Sequence, residues 1–278
     1  FRGDPAIEIS RAFEDPDLIE FDRKRVPEVF YAGMMEYDGD AHIPKNYLVE
    51  PPAFDRTLSE YFCASGTTAF AISETQKFGH VTYFFNGNRS GKFDDALEDY
   101  IEVPSDIVPF EQRPWMKAAE ITDKVVEAIQ NNQYDFIRLN YANGDMVGHT
   151  GIPQAVEIAV ETVDLCLARL VRAAKNVDGI LVVSADHGNS DDMYECDYKT
   201  GEVIYDEKTG KPKTRTAHSL NPVFAYVYVP DGSIKMKLSP HTDLGISSLA
   251  ATCLTLLGFE PPEDYTPSIV EISAIDFQ

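Results

Sequence analysis

The strongest constraint on the fold is an alternation of short apolar runs with longer amphipathic segments, which begins near residue 51. The sequence predicts strands in TTAFAIS, HVTYFF, YDFIRLN, GILVVSA and NPVFAYVYV. It predicts helices in DRTLSEYFCASG, RPWMKAAEITDKVVEAIQNN, PQAVEIAVETVDLCLARLVRAA and GISSLAATCLTLLG. Such alternation predicts an α/β fold in which helices cover both faces of a mostly parallel sheet.

Residues 1–50 do not follow this alternation. DPAIEISRAFE has the apolar spacing of a helix, EVFYAGMMEYD is typical of a strand, and PKNYLVEPPAF is typical of a proline-punctuated connector. One helix and one strand cannot enclose a core. We therefore expect residues 1–50 to be the end of another domain plus a linker, and residues 51–278 to form the main domain.

Composition limits the classes of function. The 278 residues carry a formal charge of −22, which argues against nucleic-acid binding because such a surface repels phosphate backbones. The sequence contains no run of eighteen apolar residues, so we expect no membrane-spanning segment. The 4 cysteines are far apart and predict reduced thiols, which are typical of a cytoplasmic protein.

Potential metal ligands lie at the ends of three predicted strands. Asp145 and His149 follow YDFIRLN, Asp186 and His187 follow GILVVSA, and His218 precedes NPVFAYVYV. A single aspartate at a strand end is often a helix cap, and a single histidine is more often a surface or core residue. Ligands of open α/β sheets, however, gather beyond the carboxyl ends of the strands. Mixed Asp and His ligands favour Mn²⁺ or Zn²⁺ over Ca²⁺, and their number favours two metals.

Several motifs together resemble one family. NGDMVGHTG, SADHGN and TAHSLNPV, in this order, resemble the C-terminal part of the cofactor-independent phosphoglycerate mutases of the alkaline phosphatase superfamily. SETQKFGHVTYFFNGNRSG resembles the family's lysine-bearing segment, FRGD its phosphate-binding arginine segment, and YAGMMEYDGD the plant and trypanosomatid branch. The resemblance implies an alkaline-phosphatase-like α/β fold that lacks its N-terminal strand or strands in this chain.

The resemblance also implies a set of site residues. Lys77 would be a catalytic residue that also binds the substrate, and Arg2 would bind the substrate phosphate. Two divalent metals are implied, with Mn²⁺ preferred and Mg²⁺, Co²⁺ or Zn²⁺ as alternatives. One metal would be bound by Asp145, His149 and His218, and the second by Asp186 and His187 together with a further aspartate and the nucleophilic serine.

The implied reaction is an isomerisation in glycolysis and gluconeogenesis. Members of the family interconvert 3-phosphoglycerate and 2-phosphoglycerate through a phosphoserine, and they do not need 2,3-bisphosphoglycerate. The resemblance suggests a cytoplasmic monomer whose partner is its small-molecule substrate.

Two departures from the family pattern qualify this interpretation. The family's strand with a metal-binding aspartate and its nucleophilic serine segment have no counterpart in this sequence, so we expect the chain to be inactive alone. A separate chain could supply the missing half. In addition, Pro5 stands where the family usually has a second arginine, which removes one phosphate contact.

Two alternatives remain open on sequence grounds. The protein could be another metal-dependent phosphatase, phosphodiesterase or phosphomutase of the same superfamily, or a non-catalytic metal-binding scaffold. Lys77 and the N-terminal remnant favour the mutase over the first alternative. Pro5 favours the second.

Overall fold

The structure, a computed structural model, describes residues 3–38, 42–50, 54–197, 199–230 and 234–273. The helices of the described residues are α1 (Gly3–Glu14), α2 (Leu58–Ser65), α3 (Phe78–Val81), α4 (Ala118–Gln130), α5 (Asn143–Gly148), α6 (Pro153–Asn176) and α7 (Ser248–Leu256). The strands are β1 (Gly33–Met35), β2 (Tyr47–Val49), β3 (Ala69–Glu74), β4 (Glu98–Val103), β5 (Phe136–Leu139), β6 (Leu181–Ser184), β7 (Ala225–Tyr228), β8 (Lys235–Leu238) and β9 (Val270–Ser273).

A three-stranded parallel sheet organises the core, with β3 between β4 and β5. Every residue of β3 is buried, because the strand is paired on both sides and packed on both faces. Phe70 and Ile72 form one apolar cluster with Val125 of α4 and Leu170 of α6. Since the three strands are parallel, the carboxyl ends of β3 and β5 lie side by side at one edge of the sheet.

The helices follow from their sequences. The backbone of α2 ends at Gly66, whose φ of 74° is the left-handed conformation that glycine adopts without steric cost. Pro153 begins α6, a position where the backbone N–H has no partner within the helix, so proline loses no helical hydrogen bond there. Among the described residues, no helix combines the length and the apolar character needed to cross a membrane.

The remaining strands form pairs. β1 and β2 are parallel, whereas β6 pairs with β7 and β8 with β9 in antiparallel orientation. The described part of residues 193–215 forms a meander of antiparallel bridges. For the polar stretch between Asp197 and Thr214 the sequence predicts a surface loop or hairpin. The meander joins the segment that follows β6 to the segment that precedes β7.

The predicted strand HVTYFF is wrong. Residues 78–81 are helical and turns follow, so β3 pairs with β4 instead, which the sequence did not predict. Val81 and Thr82 of HVTYFF are buried without a strand partner, whereas Phe84 is exposed. Arg138 Nε donates to the carbonyl of Val81 at 2.7 Å, and its guanidinium stacks over Phe85. In β4, the buried Glu98 accepts a hydrogen bond from the N–H of Phe93. Because this buried position holds a charged residue, the sequence pattern did not indicate a strand.

Three further strands were missed. β2 lies in the stretch predicted as a connector, where Tyr47–Val49 pairs with β1. β8 and β9 pair with each other outside the parallel sheet, and their mixed polar and apolar residues gave no strand pattern. Between α4 and α7, the helices and strands that the sequence predicts are otherwise confirmed in type and in order.

Candidate metal centre

Asp145 and His149 lie on one face of α5, directly beyond the carboxyl end of β5. Asp145 is in the first turn of this helix and His149 caps its end, so the two residues are one helical turn apart. Asn143 anchors the start of α5 by donating from its side chain to the carbonyl of Pro114 at 2.9 Å. The strand and the helix therefore aim both side chains at the edge of the sheet.

His218 meets this pair from the segment before β7. Its Nε2 lies 3.0 Å from Asp145 Oδ1 and 3.1 Å from His149 Nε2. The third side of the triangle, from His149 Nε2 to Asp145 Oδ1, is 3.0 Å. Three residues that are up to 73 positions apart in the chain thus bring three ligand atoms to one point.

The orientation of His149 suits a metal ligand. Its Nδ1 lies 2.6 Å from the carbonyl oxygen of Thr216, which can only accept a hydrogen bond. Nδ1 therefore carries a proton, and Nε2 is the ring nitrogen that faces Asp145 and His218. Burial, together with the nearby charge of His187, lowers the pKa of His218 and favours its neutral, ligating form.

The donor set fits a divalent metal. Two imidazole nitrogens and one carboxylate oxygen are the ligands of Zn²⁺ and of similar transition metals. Ligand atoms bound at about 2.0–2.2 Å from one ion are separated by roughly 3 Å from each other, as these three atoms are. The arrangement is preassembled, so binding would need little rearrangement of side chains.

Lys77 reaches the site from a short 3₁₀ turn at the end of β3. Its Nζ lies 2.5 Å from Asp145 Oδ2, on the carboxylate oxygen that faces away from the two histidines. Burial alone would raise the pKa of Asp145, but hydrogen bonding to Lys77, the charge of Lys77 and a hydrogen bond from Asn189 hold this pKa well below its usual range. Lys77 is thus a buried counter-ion and not the solvated surface lysine that its sequence alone would suggest.

Asp186 and His187 lie beside the triangle without joining it. His187 Nε2 is 4.0 Å from Asp145 Oδ1, and its ring stacks on His218 with centroids 3.7 Å apart. Asp186 Oδ2 lies 3.5 Å from His187 Nε2, so the two adjacent side chains approach each other instead of pointing in different directions. The structure therefore places both candidate ligands of the second metal at the edge of the first site.

Arg2 and the side chain of Pro5 lie outside the described residues. His42 pairs with Glu36 at 2.9 Å and His80 contacts Phe84, both away from the triangle.

Sequence analysis missed Asn189, whose side chain donates to Asp145 Oδ1 at 2.9 Å. Gly148 permits this approach, because a Cβ at residue 148 would lie 2.3 Å from the Asn189 side-chain oxygen. Asn189 belongs to the DHGN motif, which also contains the candidate ligands Asp186 and His187. Its position in that motif was the only sequence signal for a role in the site. Thr216 was missed because its backbone carbonyl, which no side-chain pattern reveals, makes the contact.

The family follows from comparison with known proteins. The sequence profile of the Metalloenzyme superfamily matches residues 20–261, so the chain belongs to this superfamily. The five candidate ligands all fall within the matched range. Their grouping is consistent with a family defined by bound metal.

Individual relatives are more specific. The chain is 50% identical over 276 residues to the 2,3-bisphosphoglycerate-independent phosphoglycerate mutase of Trypanosoma brucei brucei, a match that covers 98% of this chain and 49% of that protein. It is 44% identical over 274 residues to the 2,3-bisphosphoglycerate-independent phosphoglycerate mutase 1 of Arabidopsis thaliana, again with 98% and 49% coverage. The resemblance drawn from the motifs is thereby confirmed. The chain spans about half the length of these curated relatives.

A solved structure shares the fold. A crystal structure of Leishmania mexicana phosphoglycerate mutase at low cobalt concentration superposes with a TM-score of 0.87 at 50% identity, covering 96% of this chain and 48% of that one. The predicted alkaline-phosphatase-like α/β class is confirmed by this match.

Proposed function

We propose that the protein carrying this chain is a cofactor-independent phosphoglycerate mutase that interconverts 3-phosphoglycerate and 2-phosphoglycerate. The observation that carries the proposal is the convergence of Asp145, His149 and His218, with the cation of Lys77 on the far oxygen of Asp145. A phosphoryl group brought to this point would meet positive charge from two sources. The names of the relatives support the same activity.

The chain's residues would divide the work. Asp145, His149 and His218 would hold one divalent metal, and Asp186 and His187 would supply two ligands of a second. When bound, such metals lower the pKa of an attacking hydroxyl and neutralise charge on the transferred phosphoryl group. Lys77 would fix the Asp145 carboxylate and present a compact positive charge to the phosphoryl oxygens.

The nucleophile is a separate matter. Three serines lie near the site: Ser184 at the end of β6, and Ser190 and Ser219 in loops. Their hydroxyls are hydrogen-bonded to Phe224 O, to Gly144 O and to Asp191 respectively. We therefore propose that the nucleophilic serine and the remaining aspartate ligand lie outside this chain, in a separate chain or elsewhere in the protein. This chain alone would then be inactive.

Further parts of the proposal come from the family alone. We propose Mn²⁺ as the preferred metal, a monomeric and cytoplasmic protein, no requirement for 2,3-bisphosphoglycerate, and residues 1–50 as the end of a transferase domain. In this arrangement Arg2 binds the substrate phosphate, and Pro5 leaves that binding with one cation fewer.

The first prediction tests metal-dependent turnover in the protein that carries this chain. Prolonged chelation should abolish conversion of 3-phosphoglycerate, and added Mn²⁺ should restore it without 2,3-bisphosphoglycerate. His218→Ala should remove at least one metal per protein by elemental analysis and lower kcat/KM by about 100-fold or more, since it removes a metal ligand. His42→Ala, outside the site, is the matched control and should leave both unchanged. Turnover by metal-free protein, or a full metal content in His218→Ala, would contradict the proposal.

A further inference from the structure

The two loops that carry the later ligands are joined directly to each other. Gly188, which follows His187, forms an antiparallel bridge with Ser219, which follows His218. The Ser219 N–H donates to the Gly188 carbonyl at 2.9 Å. This bridge holds the two histidine rings in their stacked contact.

Asp191 adds a second connection on the C-terminal side of His218. Its Oδ2 accepts from Asn221 Nδ2 at 2.6 Å and from Ser219 Oγ at 3.0 Å. Gly188 packs into this arrangement so closely that a Cβ there would lie 2.1 Å from Ser219 Oγ and 2.7 Å from Asp191 Oδ1. The carboxylate therefore binds across the bridge between residues about thirty positions apart in the chain.

Asp192 makes a third connection on the N-terminal side of His218. Its Oδ2 lies 2.7 Å from Arg215 Nη1, and Arg215 Nη2 donates to the backbone carbonyl of His218 at 3.2 Å. The backbone N–H of Arg215 also donates to the carbonyl of Met193 at 2.9 Å. This bond joins the segment before His218 to the residue that follows Asp192. Asp191 and Asp192 thus hold the chain on both sides of His218.

These bonds differ from those of the aspartates in the meander that follows. Asp197 and Asp206 accept backbone N–H groups two and three residues further along the chain, as turn-forming aspartates do. The bonds that Asp191 and Asp192 make to Asn221, Ser219 and Arg215 instead reach a distant segment. The His218 side chain is only partly buried, at 42% exposure, so burial alone does not hold it and these bonds add to its support.

We propose that Asp191 and Asp192 are positioning residues that fix His218 in the candidate metal site. The inference rests on the proposed metal site. Neither carboxylate has to touch metal or substrate. Their role is to keep the His218 nitrogen at the point where Asp145 and His149 converge, because hydrogen bonds that orient ligands commonly govern metal affinity.

The test is a Co²⁺ titration of the chelated protein that carries this chain, followed by visible absorption. Asp191→Asn and Asp192→Asn should each weaken Co²⁺ binding by about 10- to 100-fold, the range typical of residues that orient ligands. The absorption bands at saturating Co²⁺ should also shift, because a displaced histidine changes the coordination geometry and a merely destabilised fold would not. Asp206→Asn, a turn aspartate of the same meander, is the matched control and should leave affinity and spectrum unchanged.

The outcomes separate this inference from the proposed site. If His218→Ala binds Co²⁺ as tightly as the unmodified protein, the proposed site is wrong. If His218→Ala loses binding while Asp191→Asn and Asp192→Asn keep both affinity and spectrum, only the positioning role is wrong. Should Asp191→Asn fail to fold, Ser219→Ala removes a single hydroxyl partner of Asp191 and must weaken Co²⁺ binding in the same direction. An unchanged affinity in that variant would overturn the inference.

Discussion

The candidate site is assembled from two regions that are held together by different forces. Lys77, Asp145 and His149 follow strands of the parallel sheet, in which β3 is buried along its whole length. Asp186, His187 and His218 come from the segments around β6 and β7, where no strand residue is fully buried. One half of the site rests on apolar packing, and the other rests on hydrogen bonds between loops.

This difference has a physical consequence. Burial of apolar surface is non-directional, and a packed core fixes whatever is attached to it. Polar contacts between exposed loops fix a geometry only where several bonds act on the same short segment, as around His218. We therefore expect substitutions in the sheet region to change stability strongly, and substitutions in the loop region to change metal binding more than stability.

The largest effect is expected where the two forces meet, in the Lys77–Asp145 pair. Lys77→Met leaves a buried carboxylate without its counter-ion and should lower the free energy of unfolding by about 3–5 kcal/mol, as loss of one partner of a buried pair does. Urea unfolding in the presence of chelator measures this loss. Added Mn²⁺ should reduce it, because a divalent cation can replace the missing charge on Asp145.

The control for this prediction is an exposed ion pair. Lys24 lies against Asp22 with both side chains largely in solvent, and Lys24→Met should cost less than about 1 kcal/mol. Equal losses in the two variants would mean that the burial of Lys77 has no energetic consequence. A loss at Lys77 that Mn²⁺ does not reduce would contradict the role of Asp145 as a ligand.

The next effect contrasts the buried centre of the parallel sheet with an exposed strand outside it. Ile72, fully buried at the centre of β3, should cost about 2–5 kcal/mol when replaced by alanine, because the cavity is surrounded by packed side chains. Leu238 of β8 is 81% exposed, and Leu238→Ala should stay within about 0.5 kcal/mol. Both values follow from urea unfolding of the same preparation. A large loss at Leu238 would show that β8 is covered in the intact protein and would contradict the expected contrast with β3.

The same contrast decides what could be predicted from sequence. Strands β3 and β5 and helix α6 have strong apolar patterns, and the ligands that follow strands were found because strand ends collect at one edge of a sheet. The bonds that position those ligands were not found. Asn189 reaches back 44 residues to Asp145, and Asp191 reaches forward 30 residues to Asn221, so no local pattern reports either contact.

The errors in the strand predictions have a related cause. HVTYFF has the composition of a strand, but its first residues end a short helix and turns follow, with Arg138 bound to the carbonyl of Val81 and stacked on Phe85. β4 carries Glu98 inside the fold, where hydrogen bonds from Phe93 and Tyr100 compensate its charge. In both segments a distant polar partner overrides the local propensity.

The smallest effect tests a buried carboxylate of the sheet region, Glu74 at the end of β3. Burial raises the pKa of Glu74 above its ordinary value of 4.5, although hydrogen bonds from Ser105 and from the Lys117 N–H oppose the shift. A carboxyl whose pKa is raised on folding stabilises the fold below its unfolded pKa, and this contribution is lost as the pH rises through the folded value.

Glu74→Gln removes this titration while keeping a similar shape. The free energy of unfolding of the unmodified protein, relative to Glu74→Gln, should therefore fall as the pH rises above the ordinary carboxyl pKa, as measured by urea unfolding over a series of pH values. The exposed Glu127→Gln on α4 is the matched control and should show no such trend. A difference that stays constant or grows with pH would mean that the hydrogen bonds outweigh burial at Glu74, and that the sheet region too is held in place by polar contacts near the site.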